Sequence, residues 1–437
     1  MEALRLAIAE AHAKYTSANP KSRAAHEQAA RYLPGGNTRA VLYFEPFPLT
    51  MVKGRGAEQV DLDGHHYVDF VGEYSAGLFG HTPEAIHASV TNALEAGLVM
   101  GAPNEDERTL AKLLCDRFPS LDLVRFCNSG TEANLMALAT ARAATGRNKI
   151  VVFRDSYHGG VIKFPGGPFK LNAPFDFVIA DFNDVDGTAR AIDEAGNDLA
   201  AVLIEPVLGA GGNIPGTLEF HTMLRERTKS LGALLIYDEV KTSRIGPAGI
   251  QGLLGITPDL TTLGKYIAGG LPIGAFGGRA DLMSNYDPSR PGYWDHAGTF
   301  NNDVCSMAAG CAALGEIYTP GKAAEFFEWS EAFRSSLNEM FARMNVPMHA
   351  NGIASMIAIH FAEEPTCAPS EITAGCKALR PLLHMHMLHD GVLICKRGDL
   401  FLSLPMGDEH LGKARTALAN FADRHGSLIK DVLASKD

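Results

Sequence analysis

Apolar and polar positions change rhythm along this chain, and the rhythm divides it. From about residue 120 to 280, short apolar runs rich in β-branched residues recur: Leu123–Phe126, Ile150–Phe153, Ala201–Ile204, Leu234–Tyr237 and Ile273–Phe276. Each reads as a strand without a polar face. Between most of them lie longer stretches with helical spacing, such as Glu132–Thr145 and Phe220–Leu231. Strands apolar on both faces, alternating with helices, predict a mostly parallel sheet covered on both sides.

The flanks follow another pattern. Residues 1–33 predict helix, and residues 40–72 predict short strands with turns, one at Asp63-Gly64. Residues 322–344 and a stretch from about Glu409 to Ala434 predict long amphipathic helices. The expected architecture is α/β. A large domain spans 66–322, and a smaller α+β domain combines 1–65 with 323–437. No repeat and no Pro/Ser-rich linker interrupts the 437 residues.

Composition narrows the class. With 46% hydrophobic residues the chain can bury a large core, which excludes low-complexity disorder. The 39 basic and 50 acidic side chains give a net charge of −11. That balance argues against a nucleic-acid partner, but not against small anions held by local charges. No apolar run approaches the roughly 20 residues of a membrane-spanning helix, and MEALRLAIAEAHAKY lacks the apolar core of a signal peptide. Seven cysteines without a CxxC pair read as free thiols of a cytoplasmic protein.

Three segments carry chemistry. In Cys127-Asn128-Ser129-Gly130-Thr131-Glu132-Ala133-Asn134 a strand leads into a helix. The helix start, with the Ser129 and Thr131 hydroxyls and room at Gly130, suits a phosphate; a plain Ser/Thr N-cap is the competing reading. Leu234–Val240 ends a buried strand on Asp238 and Glu239, where open parallel sheets bind ligands. Glu205-Pro206 ends the preceding strand and offers a second polar wall. Lys265 follows Leu260–Gly264, 27 residues after Asp238. A semi-buried lysine has a lowered pKa and can form a Schiff base, although most lysines simply face solvent. Tyr157-His158-Gly159, read as another strand end, adds an aromatic for stacking. A phosphate cradle, an acid and a lysine fit pyridoxal phosphate.

The strings NSGTEAN (128–134), YHGG (157–160), DEV (238–240), TLGKYIAGG (262–270), FGGR (276–279) and GTFNN (298–302) carry a resemblance. Through them the chain resembles the class III aminotransferases of the fold type I pyridoxal phosphate enzymes. Within that family it is similar to the branch holding glutamate-1-semialdehyde 2,1-aminomutase and β-phenylalanine aminotransferase, and PGGNTRAVLYFEPFPL (34–49) is closer to the latter. The resemblance implies roles. Lys265 would hold the cofactor and then move the proton of the 1,3-shift. Asp238 would keep the pyridine nitrogen protonated, Tyr157 and Val240 would flank the ring, and Ser129, Gly130 and Thr131 would bind the phosphate. Glu205 would lie near the ring hydroxyl, with His158 in the same cofactor set. Thr299 matches a threonine that reaches the phosphate of the neighbouring subunit, which implies a homodimer with shared active sites. Arg39 and Arg397 match two arginines expected to fork onto carboxylates. Tyr43, Phe44, Phe47 and Tyr74 would supply an aromatic wall. Lys241 departs from the family, where Met is usual, and either alters a pocket wall or faces solvent.

The expected activity is transamination from a β-amino acid, aromatic in kind, to 2-oxoglutarate or pyruvate by alternating forms of the cofactor. A broad amine transaminase, an aminomutase and a non-catalytic member of the fold are the rivals. Two motifs mislead. Gly407–Lys413 imitates a P-loop but continues into Ala414 rather than Ser or Thr. His384, His386 and His389, at i, i+2 and i+5, do not share a helix face. No dinucleotide fingerprint is present.

Overall fold

The computed structural model describes residues 1–435. Two helices, Glu2–Ala18 and Pro20–Ala29, open the chain. An antiparallel meander follows, of β1 (Met51–Arg55), β2 (Glu58–Asp61) and β3 (His66–Asp69).

The middle of the chain builds β4 (Leu123–Cys127), β5 (Lys149–Phe153), β6 (Asp176–Ala180) and β7 (Leu199–Ile204). A small hairpin, β8 (Val207–Leu208) and β9 (Ile214–Pro215), precedes β10 (Leu234–Asp238), β11 (Leu260–Gly264) and β12 (Gly274–Gly278). Seven of these form one sheet in the order β4-β12-β11-β10-β7-β5-β6. Only β12 runs against its neighbours, β11 and β4; the other recorded pairs are parallel. Every residue of β7, β10 and β11 is buried, as strands covered on both faces require.

Helix Gly130–Thr145 packs on β11 and β12. It starts where Ser129 accepts a hydrogen bond from the Glu132 N–H at 3.2 Å. It stops at Gly146, whose φ of +68° suits a residue without Cβ. Helix Leu218–Leu231 uses the same devices, a Thr217 cap and Gly232 at φ +62°.

The last third adds helix Pro320–Met344, β13 (His349–Ile353), β14 (Met356–His360), helix Ala374–His389, β15 (Val392–Leu393) and β16 (Asp399–Phe401). Helix Asp408–Ala434 closes the described chain and absorbs the false P-loop. β13, β14 and β16 make an antiparallel sheet. β15 joins the N-terminal meander, pairing parallel with β3 through Val392↔Val68 and Leu393↔Asp69. Both flanks of the chain therefore meet in one sheet. Among the described residues no helix is long and apolar enough to cross a membrane.

Candidate active site

The carboxyl ends of β4, β7, β10 and β11 lie on one side of the central sheet, and the residues that follow them hold the chemistry. Asp238 ends β10 with 4% of its surface exposed. Its Oδ2 accepts hydrogen bonds from Asn134 Nδ2 and His158 Nδ1, both at 2.8 Å. Its Oδ1 accepts the Val240 N–H at 3.0 Å. Asn134 is itself held, because its Oδ1 accepts from the Thr262 hydroxyl at 2.7 Å. The two side chains that donate to Asp238 thus come from the helix after β4 and from the loop after β5, and Thr262 of β11 steadies the first.

Lys265 follows β11 at φ +54°, a left-handed conformation unusual for a lysine. Its pKa falls from 10.5 to about 8, chiefly through burial and then through the nearby Lys241 charge, with Asp238 and Glu205 opposing the shift. Glu205 ends β7 almost fully buried. Its Oε2 accepts the Tyr157 N–H at 2.8 Å and its Oε1 the Gly209 N–H at 3.2 Å. Burial raises its pKa above the usual carboxylate range.

Close packing joins the strand ends. A Cβ on Gly130 would come within 2.8 Å of the Val240 side chain, and one on Gly264 within 3.3 Å of it. A Cβ on Gly159 would meet Thr131 Oγ1 at 2.3 Å. The Asn128–Thr131 turn, the 157–160 loop, Val240 and the approach to Lys265 are therefore in mutual contact. Gly130 and Thr131 are the first residues of their helix, where backbone N–H groups have no acceptor within the helix.

A cleft of about 630 Å³ opens beside these groups. Lys265, Glu205, Tyr157, Tyr74, Arg39 and Arg397 all line it. Tyr157 is 45% exposed, leaving a ring face free. Arg39 pairs with Glu73 and lies 5.4 Å from the Tyr74 ring centroid. Arg397 binds Asp399 Oδ2 through Nε and Nη2 at 3.1 and 3.0 Å.

Several expectations need correction. Tyr157 does not end a strand: β5 stops at Phe153, and Asp155 at φ +63° turns the chain into a loop held by a Tyr157–Lys163 bridge. Of the four aromatics proposed for a wall, only Tyr74 lines the cleft. Phe44 and Phe47 pack against Tyr15, and Phe44 also against His384. The Tyr43 hydroxyl bonds Glu45. Lys241 lines the cleft rather than facing solvent. Thr299 is exposed and outside the cleft lining of this chain. Asn134, Asn213, Glu73 and Asp399 position the charged groups, yet only Asn134 sat in a motif.

These residues fit pyridoxal phosphate. Asp238 keeps acceptor capacity on Oδ1 after one backbone N–H, as a protonated ring nitrogen requires. A largely neutralisable lysine and an uncommitted helix start complete the donor set.

The comparisons with known proteins agree. The Aminotransferase class-III family model matches residues 43–164 and 176–418. Beta-phenylalanine transaminase of Variovorax paradoxus is 45% identical over 427 residues, 98% of each chain. The crystal structure of a β-phenylalanine aminotransferase from that organism superposes with a TM-score of 0.95, covering 97% of this chain and 99% of the other. Glutamate-1-semialdehyde 2,1-aminomutase 1 of Bacillus cereus (strain G9842) is 37% identical over 422 residues, 92% of this chain and 98% of that protein. A transaminase solved with bound pyridoxal phosphate is 31% identical with a TM-score of 0.85, covering 94% and 99%. The chain belongs to the class III aminotransferases and is a pyridoxal-phosphate-dependent aminotransferase.

Proposed function

We propose that the enzyme transfers the amino group of a β-amino acid, aromatic in kind, to a 2-oxo acid. The observation that carries this reading is a lysine with a pKa near 8 sharing one cleft with two arginines. The Variovorax paradoxus similarity supports the donor class.

When bound, pyridoxal phosphate supplies an electron sink for the amino-bearing carbon. Lys265 Nζ removes the proton from that carbon and returns one at the end of the half-reaction. Asp238, oriented by Asn134 and His158, keeps a positive charge on the ring nitrogen. Tyr157 and Val240 would flank the cofactor ring, and Glu205 would lie toward its hydroxyl. Ser129 Oγ and the N–H groups of Gly130 and Thr131 would hold the phosphate. Thr299 of one protomer serves the site of a second, so the enzyme works as a homodimer, in the cytoplasm. Arg39 and Arg397 bind carboxylates. Their partners Glu73 and Asp399 hold the guanidiniums in place before substrate arrives. We assign the chain from Phe70 to Thr319 to the cofactor domain, and both flanks, with β3 and helix Pro320–Met344, to the smaller one.

A donor panel tests the proposal: β-phenylalanine, β-alanine, glutamate 1-semialdehyde and 1-phenylethylamine against 2-oxoglutarate and pyruvate. β-Phenylalanine should give a keto product with at least one acceptor. Amine shuffling within glutamate 1-semialdehyde alone would make the enzyme an aminomutase. Arg39→Ala should raise KM for β-phenylalanine roughly tenfold or more, the worth of one charge-assisted pair, and leave 1-phenylethylamine little changed. Equal effects on both donors would remove Arg39 from carboxylate binding.

A further inference from the structure

Residues 72–75 adopt a backbone that chains of L-residues avoid. Gly72, Glu73, Tyr74 and Ser75 have φ of +46°, +47°, +55° and +82° in succession. Residues with a Cβ enter this left-handed region singly, because the Cβ then crowds the following carbonyl. No other two adjacent non-glycine residues do so among the described residues. A conformation this costly persists only where its surroundings enforce it. The turn presents two neighbouring side chains to one arginine. Glu73 pairs with Arg39, and the Tyr74 ring centroid lies 5.4 Å from the Arg39 guanidinium. The Tyr74 hydroxyl also donates to Val41 O at 2.9 Å, so the turn holds the backbone beside Arg39 as well.

Two devices enforce the turn. At its entrance Asp69 Oδ1 accepts the Val71 and Gly72 N–H groups at 2.8 and 3.1 Å. At its exit Arg244 Nη1 donates to Ser75 O at 2.9 Å, and Nη2 of the same guanidinium donates to Leu402 O. Leu402 belongs to the segment that runs beside the turn. There the Phe401 N–H bonds Phe70 O at 2.7 Å and the Leu404 N–H bonds Leu78 O at 2.8 Å. One guanidinium therefore bridges the turn and its support. Arg244 is itself anomalous. It is 1% exposed, no carboxylate pairs with it among the described residues, and its Nε has no partner. Burial pulls its pKa down to about 10. A buried cation without a counter-ion is costly, and an apolar side chain of similar volume would avoid that cost. Only a planar fork, however, reaches both carbonyls at once.

We propose that Arg244 is a positioning residue for substrate recognition: through Ser75 it locks the left-handed turn that aims Glu73 and Tyr74 at Arg39. This rests on the carboxylate role given to Arg39 above. Arg244 is absent from the cleft lining and touches no substrate. Its effect passes through the turn to Arg39, so it falls on donors that carry a carboxylate and spares those that do not.

Steady-state kinetics of the holoenzyme test this through one ratio, kcat/KM for β-phenylalanine over kcat/KM for 1-phenylethylamine. Arg244→Lys keeps the charge and loses the fork. It should lower the ratio about fivefold, part of the roughly tenfold worth of the Arg39 pair, and chiefly through KM. Placed on Arg39→Ala it should lower the ratio no further, because both substitutions then act through one lost interaction. Ser75→Gly frees the backbone at φ +82° while leaving the buried arginine in place, and should also lower the ratio about fivefold. A purely structural role would slow both donors alike and leave the ratio unmoved. A ratio within twofold of the parent in Arg244→Lys, or a loss that persists when Arg39 is alanine, would overturn the proposal. Should Arg244→Lys not fold, Ser75→Gly decides by the same two criteria. Failure of the β-amino acid reading shows differently, as no β-phenylalanine turnover in the parent enzyme. The ratio is then taken with the carboxylated donor that the panel yields.

Discussion

At pH 7 a lysine of pKa about 8 is about 9% neutral, while one at 10.5 is only about 0.03% neutral. Burial of Lys265 therefore raises the population able to attack an aldehyde roughly 300-fold. The assay is the rate at which the apoenzyme takes up pyridoxal phosphate, followed by absorbance between pH 6 and 10.5. The rate constant should rise about tenfold per pH unit and level off near pH 8. Lys241→Met removes the nearest positive contribution and should move the midpoint upward. A rate still climbing at pH 10, or a midpoint in Lys241→Met at or below that of the parent enzyme, would refute the reasoning. Stability gives a second readout. Below about pH 8 the lysine is protonated in folded and unfolded chains alike, and its burial costs the fold about 3 kcal/mol. Between pH 8 and 10.5 the folded chain has already released the proton and the unfolded chain has not. This group's penalty to the apoenzyme therefore fades as the pH rises.

Two other substitutions probe the supporting geometry. Asp238→Asn keeps an oxygen for Asn134 and His158 but brings an amide toward the Val240 N–H and removes the charge. Single-turnover kinetics should show a loss of at least about 100-fold while the cofactor remains bound; parental rates would remove Asp238 from the role. Gly159→Ala puts a Cβ 2.3 Å from Thr131 Oγ1 at φ +131°. Strain and overpacking should cost about 2 kcal/mol or more in urea denaturation and weaken cofactor retention; an unchanged midpoint would mean that Thr131 moves freely.

The residues closest to the chemistry were readable because strand ends are local signals. Asp238 closes the apolar run Leu234–Tyr237, Lys265 follows the short strand Leu260–Gly264, and Ser129 begins a helix by ordinary capping. β6 escaped notice because it is an edge strand, partly exposed and opening on Asp176. Tyr157 was displaced from its expected strand end by the turn at Asp155, which apolar periodicity does not register. The aromatic wall failed for a different reason. Phe44 is packed by His384, 340 residues away, and no local pattern announces such a partner. Asn213 likewise becomes meaningful only through Asp399, 186 residues away.

The pairing of β3 with β15 sets a timetable for the newborn chain. Residues 66–69 leave the ribosome roughly 320 residues before residues 392–393 that complete their sheet. At about 5–20 residues per second the delay is about 16 to 65 s. Throughout that interval β3 presents an unpaired parallel edge, while the central sheet has all its strands by residue 278. The cofactor-binding sheet can therefore assemble during synthesis, whereas the sheet beside it must wait for nearly the whole chain. Nascent chains halted before residue 392 would carry that edge exposed, and it is there that chaperone binding or misassociation would begin.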